Sequence, residues 1–137
     1  LLQSSAASDV YKRQIQYCED LFPNEGPLGG VITGLRNIKS DIAVILACDY
    51  LEIDSSVVLE CVSKLKARSM VFPLYQGKEQ YLFSAIRTEC VEALELQFFK
   101  GVRSIQKAIT CLDCVTYESA YPKKLRSANT PSQLNDD

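Results

Sequence analysis

Asp49 stands directly after Ile42-Ala43-Val44-Ile45-Leu46-Ala47-Cys48, an unbroken apolar run of strand length. In open α/β sheets ligands bind outside the carboxyl ends of the strands, so a carboxylate at this point projects into that crevice. The sequence contains no histidine. Imidazole bases, Ser-His and Cys-His nucleophile pairs, and zinc sites that need an imidazole are therefore excluded. The chemistry left for Asp49 is to hold Mg²⁺, a hard cation that takes oxygen ligands and is commonly shared with phosphates. The plainer alternative is that Asp49 breaks the strand or caps the next turn. Glu52 and Asp54 lie close by, and Asp54 has the type and place of a helix N-cap.

A second stretch, Gly26-Pro27-Leu28-Gly29-Gly30, has the form of a helix start. Unpaired N–H groups and the positive end of the dipole make such a terminus receptive to anions, and glycines let a base or ribose approach the backbone. Alternatively Gly26 and Pro27 only begin the helix, while Gly30 and Gly34 let it pack tightly on a sheet. Cys111-Leu112-Asp113-Cys114 is a lone C-x-x-C with no second pair or histidine to complete a zinc site, so ordinary buried thiols are the simpler reading.

These residues sit in a chain of 137 residues, 47% hydrophobic and 23% charged, with a net charge of -2. That length fits one domain, or most of one, burying about two thirds of the surface that its unfolded chain exposes. The charge balance gives no basic field for nucleic acid or an acidic membrane surface. No apolar run approaches the roughly 20 residues of a membrane span. Without a signal-peptide pattern, the six cysteines read as free thiols of a cytoplasmic protein.

The elements that must carry Asp49 and the glycine stretch alternate along the chain. Residues 1–14, which include Ser4-Ser5-Ala6-Ala7-Ser8, have no period and read as a non-native or disordered leader. Ile15 to Cys18 is a short strand candidate. Pro27 opens a helix with Leu28, Val31, Ile32, Leu35 and Ile38 on one face. Ile42–Cys48 reads as a central parallel strand covered on both sides. A second helix is expected from Ser55 to Ala67, with Val58, Cys61, Val62 and Leu65 facing inward. A strand comes next over Ser69 to Tyr75, then a tight turn at Gln76-Gly77-Lys78 and a paired return strand from Tyr81 to Ile86. Helices from Thr88 to Lys100 and around Ser104 to Cys111, a strand at Val115 to Glu118, and a capping box at Thr130 to Gln133 complete the chain. This alternation predicts an α/β three-layer sandwich, and the return strand makes its sheet mixed.

Taken in order, Asp20, then Gly26-Pro27-Leu28-Gly29-Gly30-Val31, then the strand ending Ala47-Cys48-Asp49 resembles the molybdenum cofactor guanylyltransferases within the MobA-like nucleotidyltransferases. That family shows an acidic residue shortly before G-P-L-[AG]-G and a strand ending C-D-x-P. Further similarity lies in Leu82-Phe83-Ser84-Ala85-Ile86-Arg87, Phe99-Lys100-Gly101-Val102-Arg103-Ser104-Ile105 and Asn129-Thr130-Pro131-Ser132-Gln133-Leu134. The resemblance implies a Rossmann-like nucleotidyltransferase fold with a mostly parallel mixed sheet. It also implies an enzyme that uses GTP and Mg²⁺ to transfer GMP to the terminal phosphate of molybdopterin, releasing pyrophosphate. Asp49 would hold the metal and serve catalysis; Asp20, Gly26, Pro27 and Leu28 would meet the nucleotide; Asn129 would lie toward the molybdopterin side.

The family's Gly-rich phosphate loop, with its Arg and Lys, has no counterpart here. Residues 15–137 are accordingly expected to be the later part of one such domain, missing the first strand and phosphate loop and inactive alone. Tyr50-Leu51 replaces the x-P of C-D-x-P, Tyr81 replaces a usual proline, and Ser127 replaces a usual asparagine. GTP and a molybdopterin-type cofactor are the expected partners, with transient docking to other cofactor-biosynthesis proteins. A cytidylyl- or sugar-nucleotide transferase and a non-catalytic nucleotide-binding domain are the alternative readings.

Overall fold

The computed structural model describes residues 18–128. The expected leader over 1–14, the strand start at 15–17, Asn129 and the capping pattern at 130–133 lie outside the described residues. Helix α1 (Pro27–Asn37) precedes strand β1 (Ile42–Leu46), and helix α2 (Ser55–Leu65) leads to β2 (Met70–Tyr75). Then come β3 (Lys78–Glu79), β4 (Phe83–Arg87), a 3₁₀ turn at Thr88–Cys90, and α3 (Val91–Phe99). The short helix α4 (Ile105–Ala108) runs through a 3₁₀ turn at Ile109–Cys111 into β5 (Cys114–Glu118), and a last 3₁₀ turn spans Pro122–Leu125.

Local chemistry sets several of these boundaries. Pro27 occupies the first turn of α1, where its missing N–H costs nothing. Asp54 caps α2 by accepting from the Val57 amide at 3.2 Å, as its place in the sequence predicts. It also pairs with Lys124, which ties the start of α2 to the last 3₁₀ turn and holds the Asp54 carboxyl well below the ordinary carboxylate range. Gln76 and Gly77 both have positive φ, 52° and 76°, the combination that closes a tight hairpin.

The sheet corrects one expectation. It is mixed, but antiparallel pairing dominates instead of parallel. Among the described residues, β4 lies between β1 and β2 and runs antiparallel to both; β3 is antiparallel to β2, and only β5 joins β2 in parallel. The hairpin at Gln76-Gly77 returns as β3 for only two residues. The Gln80 amide then bonds the Pro73 carbonyl at 3.0 Å, and the chain turns away to fill the strand-wide gap that the α2 crossover leaves between β1 and β2. The return strand therefore pairs along its whole length with β1, and with β2 only at Met70 and Val71.

β1 is likewise not central: among the described residues its only strand partner is β4, and Leu46 at its end is 49% exposed. An apolar run reads the same in the middle of a sheet as at its border. Its pairing is decided by where later strands insert.

The three layers arise from side chains alternating across the sheet. Met70, Phe72 and Ile86 face one way, onto Leu28, Ile32 and Leu35 of α1 and Leu94 and Phe98 of α3. Val71, Tyr75, Phe83 and Ala85 face the other way, onto Val57, Cys61 and Leu65 of α2 and Leu125 beyond β5. Val58 and Val62 are only half-buried at the edge of that layer, and Ile38 lies past the end of α1, 41% exposed. All six cysteines are unpaired; Cys111 is exposed and Cys114 half-buried.

Ile86 has no exposed surface and is packed between β2 and α1. Ile86→Ala is expected to cost about 3 kcal/mol through lost burial and the cavity left behind. Urea denaturation checks this: the midpoint falls while the slope is unchanged.

Candidate functional site

The segment before α1 is shaped by its own polar groups. The Phe22 amide donates to Asp20 Oδ1 at 2.8 Å, and the Glu25 amide to the Phe22 carbonyl at 3.2 Å. Asn24 turns the chain with φ 64°, and Gly26 then adopts φ 88°, ψ -177°, a backbone region that only glycine occupies without strain. No side chain caps α1. Its first-turn amides therefore keep their capacity for an anion or a polar ligand, reinforced by the dipole.

Three ties hold this loop against the helices. Thr33, inside α1, accepts from the Leu21 amide at 3.0 Å and lies 3.2 Å from Asp20 Oδ1. The Phe22 ring packs on Phe98 with centroids 4.5 Å apart and approaches Phe99 at 6.1 Å. Arg103 stacks 3.8 Å above the Phe98 ring, donates to the Phe98 carbonyl at 2.6 Å, and reaches Glu25 at 2.7 Å. The close approach falls at Gly29, where a Cβ would sit 3.0 Å from Phe22 Cβ. Gly30 and Gly34 are different: a Cβ on either would meet open space, so tight packing on the sheet is not their role.

That open space is a groove of about 310 Å³ between α1 and β1, walled by Pro27, Gly30 and Gly34 on one side and Ala43 to Ala47 on the other. Pro27 begins α1 and Ala47 immediately precedes Cys48-Asp49. The helix start and the strand exit therefore share one rim.

Asp49 itself is half-buried in a turn fixed from two directions. The Ala47 amide donates to the Leu82 carbonyl at 2.9 Å, and the Ala128 amide donates to the Asp49 carbonyl at 2.9 Å. Tyr50 forms a bridge with Ser127, and its hydroxyl donates to Gln80 Oε1 at 2.9 Å. The last described residues are thus drawn back to the strand exit. Asn129 comes directly after Ala128 but lies outside the described residues. Burial first, and then the charge of Asp49, push the Tyr50 phenol up to about 12. Glu52 lies 4.0 Å from Arg126 and Asp54 is engaged as a cap, so both serve the local fold.

Of the residues singled out in the sequence, Pro27 lines this groove, with Gly26 and Leu28 beside it in the chain and Asp20 on the preceding loop; Asp49 follows the groove's Ala47 by two residues and is not itself part of the lining. Thr33, Gln80 and Arg103 have no assigned role in the sequence, and Tyr50 stands there only as a departure from the C-D-x-P pattern. A threonine four residues after Gly29, beside the apolar face of α1, was the available signal for Thr33. Arg103 lay inside a motif of the family resemblance, without a role. Nothing in the sequence pointed to Gln80, whose partner is 30 residues away.

Gly26→Ala is expected to destabilise the protein by about 1–3 kcal/mol, because alanine cannot occupy that backbone region without strain; thermal denaturation checks it. The Tyr50 phenol supplies a second test. Its folded pKa lies above the ordinary tyrosine value, so its contribution to stability is complete below that value and lost as pH rises through about 12. Asp49→Asn removes one of the two causes and should lower the Tyr50 step. The readout is the difference in ultraviolet titration between each background and its Tyr50→Phe variant. An unmoved step would mean that the carboxylate does not act on the ring.

A molybdenum cofactor guanylyltransferase of Pseudomonas putida is 34% identical over 85 residues, covering 61% of this chain and 44% of the relative. A second from the same species is 30% identical over 141 residues, covering 98% and 71%. A Clostridium perfringens relative is matched over 46% of its length, so the chain spans about half of several curated relatives. Among solved structures, molybdopterin-guanine dinucleotide biosynthesis protein A from Archaeoglobus fulgidus superposes with a TM-score of 0.69 at 20% identity, covering 95% of this chain and 70% of that one; this likeness bears on the fold. The family model for the MobA-like NTP transferase domain matches residues 3–114, most of the chain, and the chain belongs to that family.

Proposed function

We propose that this domain serves the transfer of GMP from GTP to the terminal phosphate of a molybdopterin-type cofactor, with release of pyrophosphate. The observation that supports the reading is the shared rim, where Pro27 at the uncapped start of α1 and Ala47, two residues before Asp49, line one groove. Membership of a nucleotidyltransferase family and the names of the relatives support the same reaction class.

In this reading the Asp20 carboxylate accepts a hydrogen bond from the nucleoside, and the backbone of Gly26, Pro27 and Leu28 lies against it. An oxygen of the acceptor's terminal phosphate attacks the α-phosphorus of GTP. The bond from that phosphorus to the β-phosphate oxygen breaks, and pyrophosphate leaves with the electron pair. The protein's contribution is to orient the reactants and to meet developing charge with fixed donors. Asn129, which lies outside the described residues, is assigned to the acceptor side from the family resemblance of its motif alone.

Mg²⁺ fits this arrangement in one particular manner. Among the described residues no group of three or more His, Cys, Asp or Glu converges that could hold a metal ion. A lone strand-end carboxylate suits Mg²⁺ that keeps most of its waters and is shared with substrate phosphates. Asp49 would be that protein ligand, and the bound ion would neutralise charge on the phosphates. Among the described residues no helix is long and apolar enough to cross a membrane.

Titration calorimetry of the chain with GTP, CTP and ATP, each with and without Mg²⁺, tests the proposal. GTP is expected to bind most tightly, and Mg²⁺ to strengthen it. Asp49→Asn is expected to weaken the Mg²⁺-dependent part about tenfold, the scale of losing one charged ligand to a phosphate-bound cation, with little change in denaturation midpoint. A preference for CTP would redirect the assignment to cytidylyl transfer. A substitution that lowers the denaturation midpoint yet leaves Mg²⁺-dependent binding by the folded protein unchanged would make Asp49 structural.

A further inference from the structure

We propose that Thr33 is a positioning residue for the nucleotide: its buried hydroxyl fixes Asp20 so that one carboxylate oxygen is presented to a hydrogen-bond donor on the nucleoside. This rests on the guanine-nucleotide reading above and extends it to a residue within the layer beneath the site.

Thr33 is only 3% exposed, one of two buried polar residues on the described chain. Its hydroxyl lies 2.9 Å from the Gly29 carbonyl, 3.2 Å from Asp20 Oδ1 and 3.0 Å from the donating Leu21 amide. A hydroxyl has one proton and two lone pairs, so it can donate to Gly29 or Asp20 while accepting from Leu21. Asp20 Oδ1 is also taken by the Phe22 amide at 2.8 Å. Oδ1 is thus turned inward, bonded by the Phe22 amide and within reach of the Thr33 hydroxyl, whereas Asp20 as a residue is exposed and its Oδ2 has no hydrogen bond to the described residues.

As a carboxylate oxygen, Oδ2 accepts hydrogen bonds and donates none. What it meets must therefore bring a hydrogen-bond donor or a cation, and from a nucleoside that is a sugar hydroxyl or a base N–H; a phosphate oxygen would be repelled. The arrangement also explains why a threonine, and not a β-branched hydrocarbon of equal shape, stands beside Ile32. Valine would fill the same space, but it would leave the Leu21 amide unpaired and let the Asp20 side chain turn.

The test is a double-mutant cycle on the 137-residue chain, read by GTP affinity in the presence of Mg²⁺ and, separately, by thermal midpoint. Thr33→Val is expected to weaken GTP binding about tenfold, the scale of one hydrogen bond to a charged group. Thr33→Ser, which keeps the hydroxyl, should stay within about twofold of the parent. In an Asp20→Ala background Thr33→Val should cost no further affinity, while still lowering the midpoint as it does in the parent. Thr33→Ala, a better helix former, replaces valine in the cycle if that variant does not fold.

Losses of affinity that add across the two positions would overturn the proposal, because Thr33 would then act independently of Asp20. Equal GTP binding by parent and Thr33→Val overturns the positioning role alone. A parent chain that binds no GTP overturns the nucleotide reading and the positioning role together.

Discussion

The molecule is organised around the insertion of β4 between β1 and β2. Phe83, Ser84, Ala85 and Ile86 are all buried, so this strand is covered on both faces and paired on both sides. Its odd and even residues supply the two separate cores, and its register with β1 fixes how far β1 extends before turning. The same strand's approach, through the Leu82 carbonyl bonded to the Ala47 amide, pins the point where β1 ends. The position of Asp49 is therefore inherited from the middle of the sheet, and is not a property of its own loop.

The opposite wall of the site is held by different physics. The loop from Asp20 to Gly26 buries little apolar surface apart from Phe22, since Leu21 is 57% exposed and Pro23 is exposed, and it is kept in place by contacts to distant residues. Arg103 serves as a bracket, with its planar face on Phe98 and its edge on Glu25 and a helix-end carbonyl. Cation–π stacking and a partly exposed ion pair are each modest, on the order of 1 kcal/mol. They act on one short loop together with the Phe22 ring and the Thr33 hydroxyl. Rigid secondary structure thus sets one side of the rim, and a laced loop sets the other.

Much of this was legible in the sequence. The three layers, the Asp54 cap, the turn at Gln76-Gly77 and the helix start at Pro27 all obey local rules: apolar period, cap chemistry, positive-φ residues and proline's missing donor. The placement of β1 was not legible, because Ile42 to Cys48 is equally apolar whether its neighbour is parallel, antiparallel or missing. Pairing depended on β4, far along the chain, choosing the gap beside β1 over a full hairpin with β2. Asp20 and Asp49 were recognisable by their relation to the glycine stretch and to the strand. Thr33, Gln80 and Arg103 were not, since their importance comes from contacts that only the tertiary fold creates.

Helix α1 has a consequence of its own. Its sequence, PLGGVITGLRN, contains three glycines, each costing about 1 kcal/mol relative to alanine in a helix interior, and the β-branched run Val31-Ile32-Thr33 between them. Cut loose from the sheet, such a segment would be a coil; its helical form is borrowed from Leu28, Ile32 and Leu35 being docked. Folding of this turn-by-turn ladder and closure of the upper layer are consequently one event. Whatever binds at the first turn of α1 therefore also stabilises the docked layer, so occupancy at the rim would register as slower amide exchange far along the helix toward Asn37.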